Sequence, residues 1–215
     1  MLIESEPALD WLLFNMNVVP ITAELSELQP ITFVCIENER PDLVDLFDEL
    51  CQKYHYLQHR DPKGEKLRYI AFTDDAQVLA CLMFSHSAWN LPDREAFIGW
   101  NQDVKKKNLP FLVNNSRFVI MPGVRVKNLA TWLLGQIHNR ICSDWLDVYK
   151  HPIVALETFV DESKHHGSCY KAANWTRVGE LKIKKGQKSL IGSTLGIYLY
   201  SLTKDFSDLK NSLSF

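Results

Sequence analysis

The stretch PIVALETFV, residues 152–160, is a nearly continuous apolar run of strand length, the pattern of a strand covered on both faces. Ahead of it, RFVIMP (117–122) reads as a second strand, and the amphipathic stretch from about Lys127 to Ile141 as a helix between the two. A strand, a helix and a strand in that order predict a parallel pair joined by a crossover at the centre of a mixed sheet. Ligands of such sheets sit at the carboxyl ends of the parallel strands, where the helix N-terminus points.

The other elements fall around this unit. ITFVCIE (31–37) has strand composition, and Leu43, Leu46, Phe47, Leu50 and Tyr54 recur at helical spacing after Pro41, which a first helical turn tolerates. LRYIAFT (67–73) and VLACLMFSHSAW (78–89), joined by DDAQ, predict a hairpin. Residues 92–108 read as helical or irregular, capped by Asp93 and closed by three lysines, and SDWLDVYKH as a short second helical piece capped by Ser143. A helix over about 163–174, a strand WTRVGEL (175–181), a Lys/Gly/Ser-rich loop (182–196) and a last strand IYLYSL complete the order. The expected organisation is an acidic extension (1–29), one domain (30–203) and a C-terminal tail (204–215).

Charge divides the chain. Residues 1–50 carry eleven Asp or Glu and one Arg, whereas residues 51–215 carry fifteen acids and twenty-three bases. Such asymmetry fits a basic nucleic-acid face, an acidic head that screens a basic groove, or two solvated faces of one domain. Apolar runs are broken before the roughly 18 residues a membrane span needs, and Glu4, Glu6 and Asp10 are unlike a signal-peptide start, so a cytoplasmic protein with no membrane partner is expected. Five cysteines stand singly, with neither zinc nor disulfide spacing, and the adjacent His165 and His166 point apart, so no metal is predicted.

Arg125, Lys127 and Asn128 open the 127–141 helix, where unpaired backbone amides and a positive dipole end favour anions. Cations beside those amides make sense if a phosphate is held there. Written out, Ile120, Pro122, Arg125, Asn128, Ala130 and the Leu133-Leu134 pair resemble the GNAT acyltransferase fold, in which a strand ending Val-x-Pro precedes Arg/Gln-x-x-Gly-x-Gly/Ala. Tyr170-Lys-Ala-Ala-Asn174-Trp175 followed by Val178-Gly179 is similar to that family's Tyr-x-x-x-Gly-Phe-x-x-Val-Gly segment. The resemblance implies an α/β fold with a mixed, mostly antiparallel sheet, a central splayed parallel strand pair and flanking helices. It also implies a coenzyme A thioester whose pyrophosphate meets Val124, Arg125, Lys127, Asn128, Leu129 and Ala130. Asn128 stands where the family has its central glycine, and a side chain there works against close backbone approach to phosphate. Asn174 replaces a second glycine more mildly, because Asn adopts the left-handed conformation of a helix end.

Residues 52–181 resemble a second family. YHYLQHRDPKGEKLRYI, ACLMFSHSAWNLPDREAFIGW, NNSRFVIMPGVRVKNLATWLL, DWLDVYKHP and ETFVDESKHHGSCYKAANWTRVG are together similar to the Druantia anti-phage DruA family. That likeness implies bacterial defence or a mobile-element role without supplying a reaction. The family's Gly-x-Thr-x-Gly after the last tryptophan is replaced by GELKIKKG.

Glu157, at the end of the central strand, reads either as a general base or as the partner of Arg94 or Arg117, and Asp161 either as an acid–base group or as a helix cap. Tyr170 matches the position of a general acid that protonates a departing thiolate, and equally fits a core position. His55 and His86 are acid–base candidates or structural histidines. Arg94, Trp100, Lys105, Lys106, Lys107, Asn115 and Arg117 read as a groove for nucleic acid, with stacking and phosphate contacts, or as core tryptophans and a solvated lysine cluster. Two functions from different classes follow. One is an acyl- or aminoacyltransferase using coenzyme A or aminoacyl-tRNA; the other is a non-catalytic nucleic-acid module that recruits defence proteins or a transposition complex.

Overall fold

The computed structural model describes residues 20–57, 61–182, 194–204, 206–211 and 213. Most of the acidic extension (1–29), with the apolar Leu9, Leu12, Leu13 and Met16 at helical spacing, and most of the 182–196 loop lie outside them. The chain divides into two compact units, the first comprising residues up to Asp61, Leu67–Met83 and Arg117–Lys127 and the second Pro62–Lys66, Phe84–Ser116 and the chain from Asn128 onward.

In the first unit β1 (Ile21–Ala23) runs parallel to β6 (Val124–Val126), with Thr22 opposite Arg125. β2 (Thr32–Cys35) is antiparallel to β3 (Lys66–Phe72), and β3 turns through residues 73–77 into β4 (Val78–His86), as DDAQ predicted. Thr73 closes that turn, its hydroxyl accepting the Gln77 N–H while its own N–H donates to the Gln77 carbonyl. Two helices, α1 (Ile36–Glu39) and α2 (Val44–Tyr54), follow β2, and a 3-10 turn starting at Pro41 joins them. The predicted apolar stripe does face a core: Leu43, Leu46, Phe47 and Leu50 pack with Ile70, Phe72, Cys81, Met83 and Met121. Arg68 ties helices to strand, giving Nε–H to Glu37 at 2.7 Å and pairing with Asp48 at 3.3 Å.

The second unit takes in the later part of β4, the start of β5 (Leu112–Ile120), and then β7 (Ala155–Asp161), β9 (Thr194–Ser201) and β8 (Thr176–Lys182), in that spatial order. β5 is parallel to β7, as the crossover required, while β7–β9 and β9–β8 are antiparallel. The crossover helix α5 (Leu129–Tyr149) is one continuous element of 21 residues, where the sequence reading had it stop at Ile141 and restart at Ser143. Ser143 does not cap; its hydroxyl donates to the Arg140 carbonyl one turn back, which satisfies it without ending the helix.

The 92–108 stretch is two helices, α3 (Pro92–Ile98) and α4 (Gln102–Asn108). Gly99 ends the first at φ +86, a left-handed conformation suited to glycine, and the Asn101 side chain caps the second by accepting from the Asp103 and Val104 amides. Their core side, Ile98, Trp100 and Leu109, packs on Leu112, Ala155 and Leu199 of the sheet. Asp93 caps no helix; its carboxylate accepts the Glu180 N–H of β8 at 2.8 Å, beside the bulge between Arg177 and Gly179. A short helix α6 (Ser168–Ala172) replaces the longer one expected over 163–174. Asn174 follows it at φ +63, the left-handed conformation expected of it.

The Val178-Gly179 pair thus has a packing cause, because a β-carbon on Gly179 would collide with the side chain of Asp93. Gly179→Ala should cost about 1–3 kcal/mol, read as a lower urea midpoint, and Asp93→Gly, which removes the colliding β-carbon as well as the carboxylate, should recover part of the loss. Equal stability of Gly179→Ala and wild type would contradict this packing.

Candidate functional site

The parallel register of β5 with β7 covers only Leu112 to Asn114 against Ala155 to Glu157, whereas β7 stays paired with β9 through Asp161. Just past that register the Thr158 hydroxyl donates to the Asn115 carbonyl at 3.1 Å. Alternation along a strand then sends successive side chains to opposite faces. Glu157 faces α3 and α4, with Leu199 opposite it; Thr158 faces α5 and α6, with Tyr198 opposite.

On the α5 face, the Tyr170 hydroxyl donates to Asn115 Oδ1 at 2.6 Å. Its ring meets Trp175 edge-on with centroids 5.1 Å apart and Tyr198 at 6.0 Å. Trp175 Nε1–H in turn donates to His138 Nε2 at 3.0 Å, and the His138 ring stacks on Tyr200 at 3.6 Å. Burial pushes the His138 imidazole down to about 4, so it is neutral and fitted to accept that bond. Tyr198 is pushed up to about 12 by burial and by donating to Glu162, while the Arg177 guanidinium holds Glu162 near 2. His138 escaped the sequence reading, although it lies one turn after Leu134 on the core side of α5.

On the other face Glu157 is fully buried, and both carboxylate oxygens are engaged. Oε1 accepts the Ala88 N–H at 2.8 Å and Oε2 pairs with Arg94 at 2.7 Å. Arg94 also donates to the Ala88 carbonyl, so the ion pair holds both backbone polar groups of one residue. This is the arginine pairing rather than the free general base, and Arg94 is the partner. Asp161 Oδ1 accepts the Ser163 N–H and hydroxyl, and Oδ2 lies 3.0 Å from Lys164 Nζ. Burial raises its pKa, but those hydrogen bonds together leave it below the ordinary value. Asp161 thus caps the 162–165 turn. His55 is buried and His86 exposed.

The start of α5 leaves its first backbone amides without intrahelical partners. Asn128 is the N-cap at φ +65 and ψ 1, and no side chain caps the helix. The Trp132 N–H donates to the Asn128 carbonyl, so the amides of Leu129, Ala130 and Thr131 come before the first intrahelical bond. Asn128 therefore adopts the conformation a glycine would supply there. Arg125 and Lys127, both exposed, precede it in the chain, and Val124 is half-buried in β6.

The residues read as a nucleic-acid groove do not form one surface. Arg94, Trp100, Lys105, Asn115 and Arg117 are buried, and only Lys106 and Lys107 are exposed. Lys105 turns inward to Glu95 at 3.1 Å, and the Trp100 indole N–H donates to the Leu209 carbonyl. Among the described residues no cluster of His, Cys, Asp and Glu is arranged to hold a metal, and no helix is long and apolar enough to cross a membrane.

The sequence matches the Druantia protein DruA family over residues 16–198. The chain belongs to that family. Among curated proteins no relative matches. Solved acetyltransferases share the fold. NAA60 of Arabidopsis thaliana, solved in complex with acetyl-CoA, is 11% identical, with 80% of this chain and 98% of that one covered at a TM-score of 0.57. A putative phosphinothricin N-acetyltransferase is 14% identical, with 81% and 99% covered and a TM-score of 0.52. Spermidine N-acetyltransferase from Vibrio cholerae is 10% identical, with 81% and 95% covered and a TM-score of 0.50. The GNAT-like fold implied by the 120–134 motif is therefore present in this DruA-family chain.

Two outcomes follow. Glu157→Gln takes from the buried Arg94 its nearer carboxylate, at 2.7 Å, leaving Glu95 at 3.5 Å, and should cost about 3–5 kcal/mol. For a chain of this size that is a Tm fall of roughly 6–20 °C, with Arg94→Met/Glu157→Leu recovering most of it; an unchanged Tm would contradict the clamp. His138 has a folded pKa of about 4 against 6.5 for the free group, so between those values the unfolded chain binds the extra proton. Its contribution is intact above about pH 6.5 and lost as pH falls toward 4. The urea midpoint should fall over that window more steeply in wild type than in His138→Gln; parallel declines would contradict it.

Proposed function

We propose that this DruA-family chain acts in anti-phage defence by binding a phosphate-bearing ligand, a coenzyme A thioester above others, at Val124 to Ala130. The thioester then lies at the β5–β7 divergence beside Tyr170. The observation that supports this most is Asn128. It stands where the acyltransferase pattern has glycine, yet holds φ +65 and leaves the first amides of α5 uncapped for an anion. Exposed Arg125 and Lys127 add cations that can follow a pyrophosphate. Tyr170 is the acid for the leaving thiolate. Glu157 and Asp161 are structural, since Arg94 and Ala88 occupy one carboxylate and Ser163 and Lys164 the other. An acceptor amine loses its proton to solvent or to a group its own binding brings in. Nucleic acid and fellow defence proteins are further candidate partners, and the titrations below detect the first.

Calorimetric titration with coenzyme A and acetyl-coenzyme A, beside single-stranded, duplex and transfer RNA over a salt series, tests this reading. Coenzyme A should bind, Arg125→Ala should weaken it about tenfold, and Asn128→Gly should leave it within about threefold. No coenzyme A binding together with steeply salt-dependent nucleic-acid binding would overturn it and favour a recognition module.

A further inference from the structure

Asn115 is a carboxamide on β5 at the point where the register with β7 ends, and it is 5% exposed. Its backbone carbonyl takes the Thr158 hydroxyl and its side-chain oxygen takes the Tyr170 hydroxyl. The first bond joins it to β7, and the second fixes where the phenol oxygen sits. Tyr170 cannot easily leave that position, because Trp175 meets its ring edge-on and Tyr198 lies behind it, each held by its own hydrogen bond to His138 or Glu162. A buried tyrosine serving only the core would need some partner for its hydroxyl. Here that partner places the hydroxyl at the strand divergence rather than inside a helix interface.

We propose that Asn115 is a positioning residue for Tyr170: its neutral side-chain oxygen holds the phenol at the β5–β7 divergence, yet releases the proton to a thiolate formed there. This rests on the coenzyme A reading above. In the transfer the acceptor amine attacks the thioester carbonyl and the C–S bond breaks. The departing thiolate takes the Tyr170 proton, and the phenolate recovers one from the cationic nitrogen of the tetrahedral adduct as it collapses to the amide. A neutral amide suits the role because it accepts the hydroxyl without the stronger hold a carboxylate would exert. An aspartate at 115 would keep the proton and oppose the phenolate.

The test needs no acceptor. Coenzyme A is bound to wild type, Asn115→Asp, Asn115→Ala, Tyr170→Phe and the two double variants with Tyr170→Phe. The bound thiol is titrated by its thiolate absorbance, against ligand-free protein, and Kd is measured in parallel. Wild type should show at least about threefold more thiolate at a given pH than Tyr170→Phe, since a donated hydrogen bond favours the charged form. Asn115→Asp and Asn115→Ala should each fall to the Tyr170→Phe level with Kd within about threefold, and neither should add to Tyr170→Phe. A thiol titration in Asn115→Asp and Asn115→Ala equal to wild type overturns the proposal, as does additivity in the double variants. Loss of coenzyme A binding by wild type itself instead overturns the ligand reading on which the proposal stands.

Discussion

The parallel pairing of β5 with β7 lasts for Leu112 to Asn114 against Ala155 to Glu157, and the candidate site is arranged about its end. Period-two alternation assigns the two residues at that end to opposite faces. Glu157 goes to the side of α3 and α4, where it meets Arg94; Thr158 goes to the side of α5 and α6, where it meets Asn115. One face is thereby locked by a buried ion pair that holds the backbone N–H and carbonyl of Ala88. The other carries a polar link to the Tyr170 phenol.

These two faces differ in what their chemistry permits. A fully desolvated carboxylate with both oxygens engaged is an architectural group, since removing it would strip the buried Arg94 of its nearer carboxylate and the Ala88 N–H of its acceptor. The Tyr170 hydroxyl, by contrast, donates to a neutral carboxamide oxygen and not to a charged one. The row of Trp175, His138 and Tyr200 behind it is held by one ring–ring stack and one indole hydrogen bond, and a neutral imidazole is what that bond requires. The aromatic row also places α5 and α6 against β9, so the same contacts serve stability and position.

Much of this was legible in the sequence because it rests on local pattern. The apolar run 152–160 and the strand before α5 fix the crossover, and the left-handed backbone expected at Asn174 is present at φ +63. What escaped depends on partners distant in sequence. The three lysines at 105–107 read as a solvated helix end, but Lys105 finds Glu95 on α3 and turns inward. Arg94 was offered both as a groove cation and as a partner of Glu157, sixty-three residues away, and the choice between the two needed the structure. Ser143 looked like a cap because its hydroxyl can stop a helix, and it instead bonds within one. Asn128 was weighed by its side chain, whereas the φ of +65 that its backbone adopts shows only in the structure.

The most direct measurement of the central claim is a residue-resolved amide NMR titration of the full chain with coenzyme A. The account predicts that the amides of Leu129, Ala130 and Thr131 shift most, and that resonances of Asn115 and Tyr170 move with them at the same concentration. Shifts confined to the surface around Lys106 and Lys107, or none at saturating ligand, would contradict it.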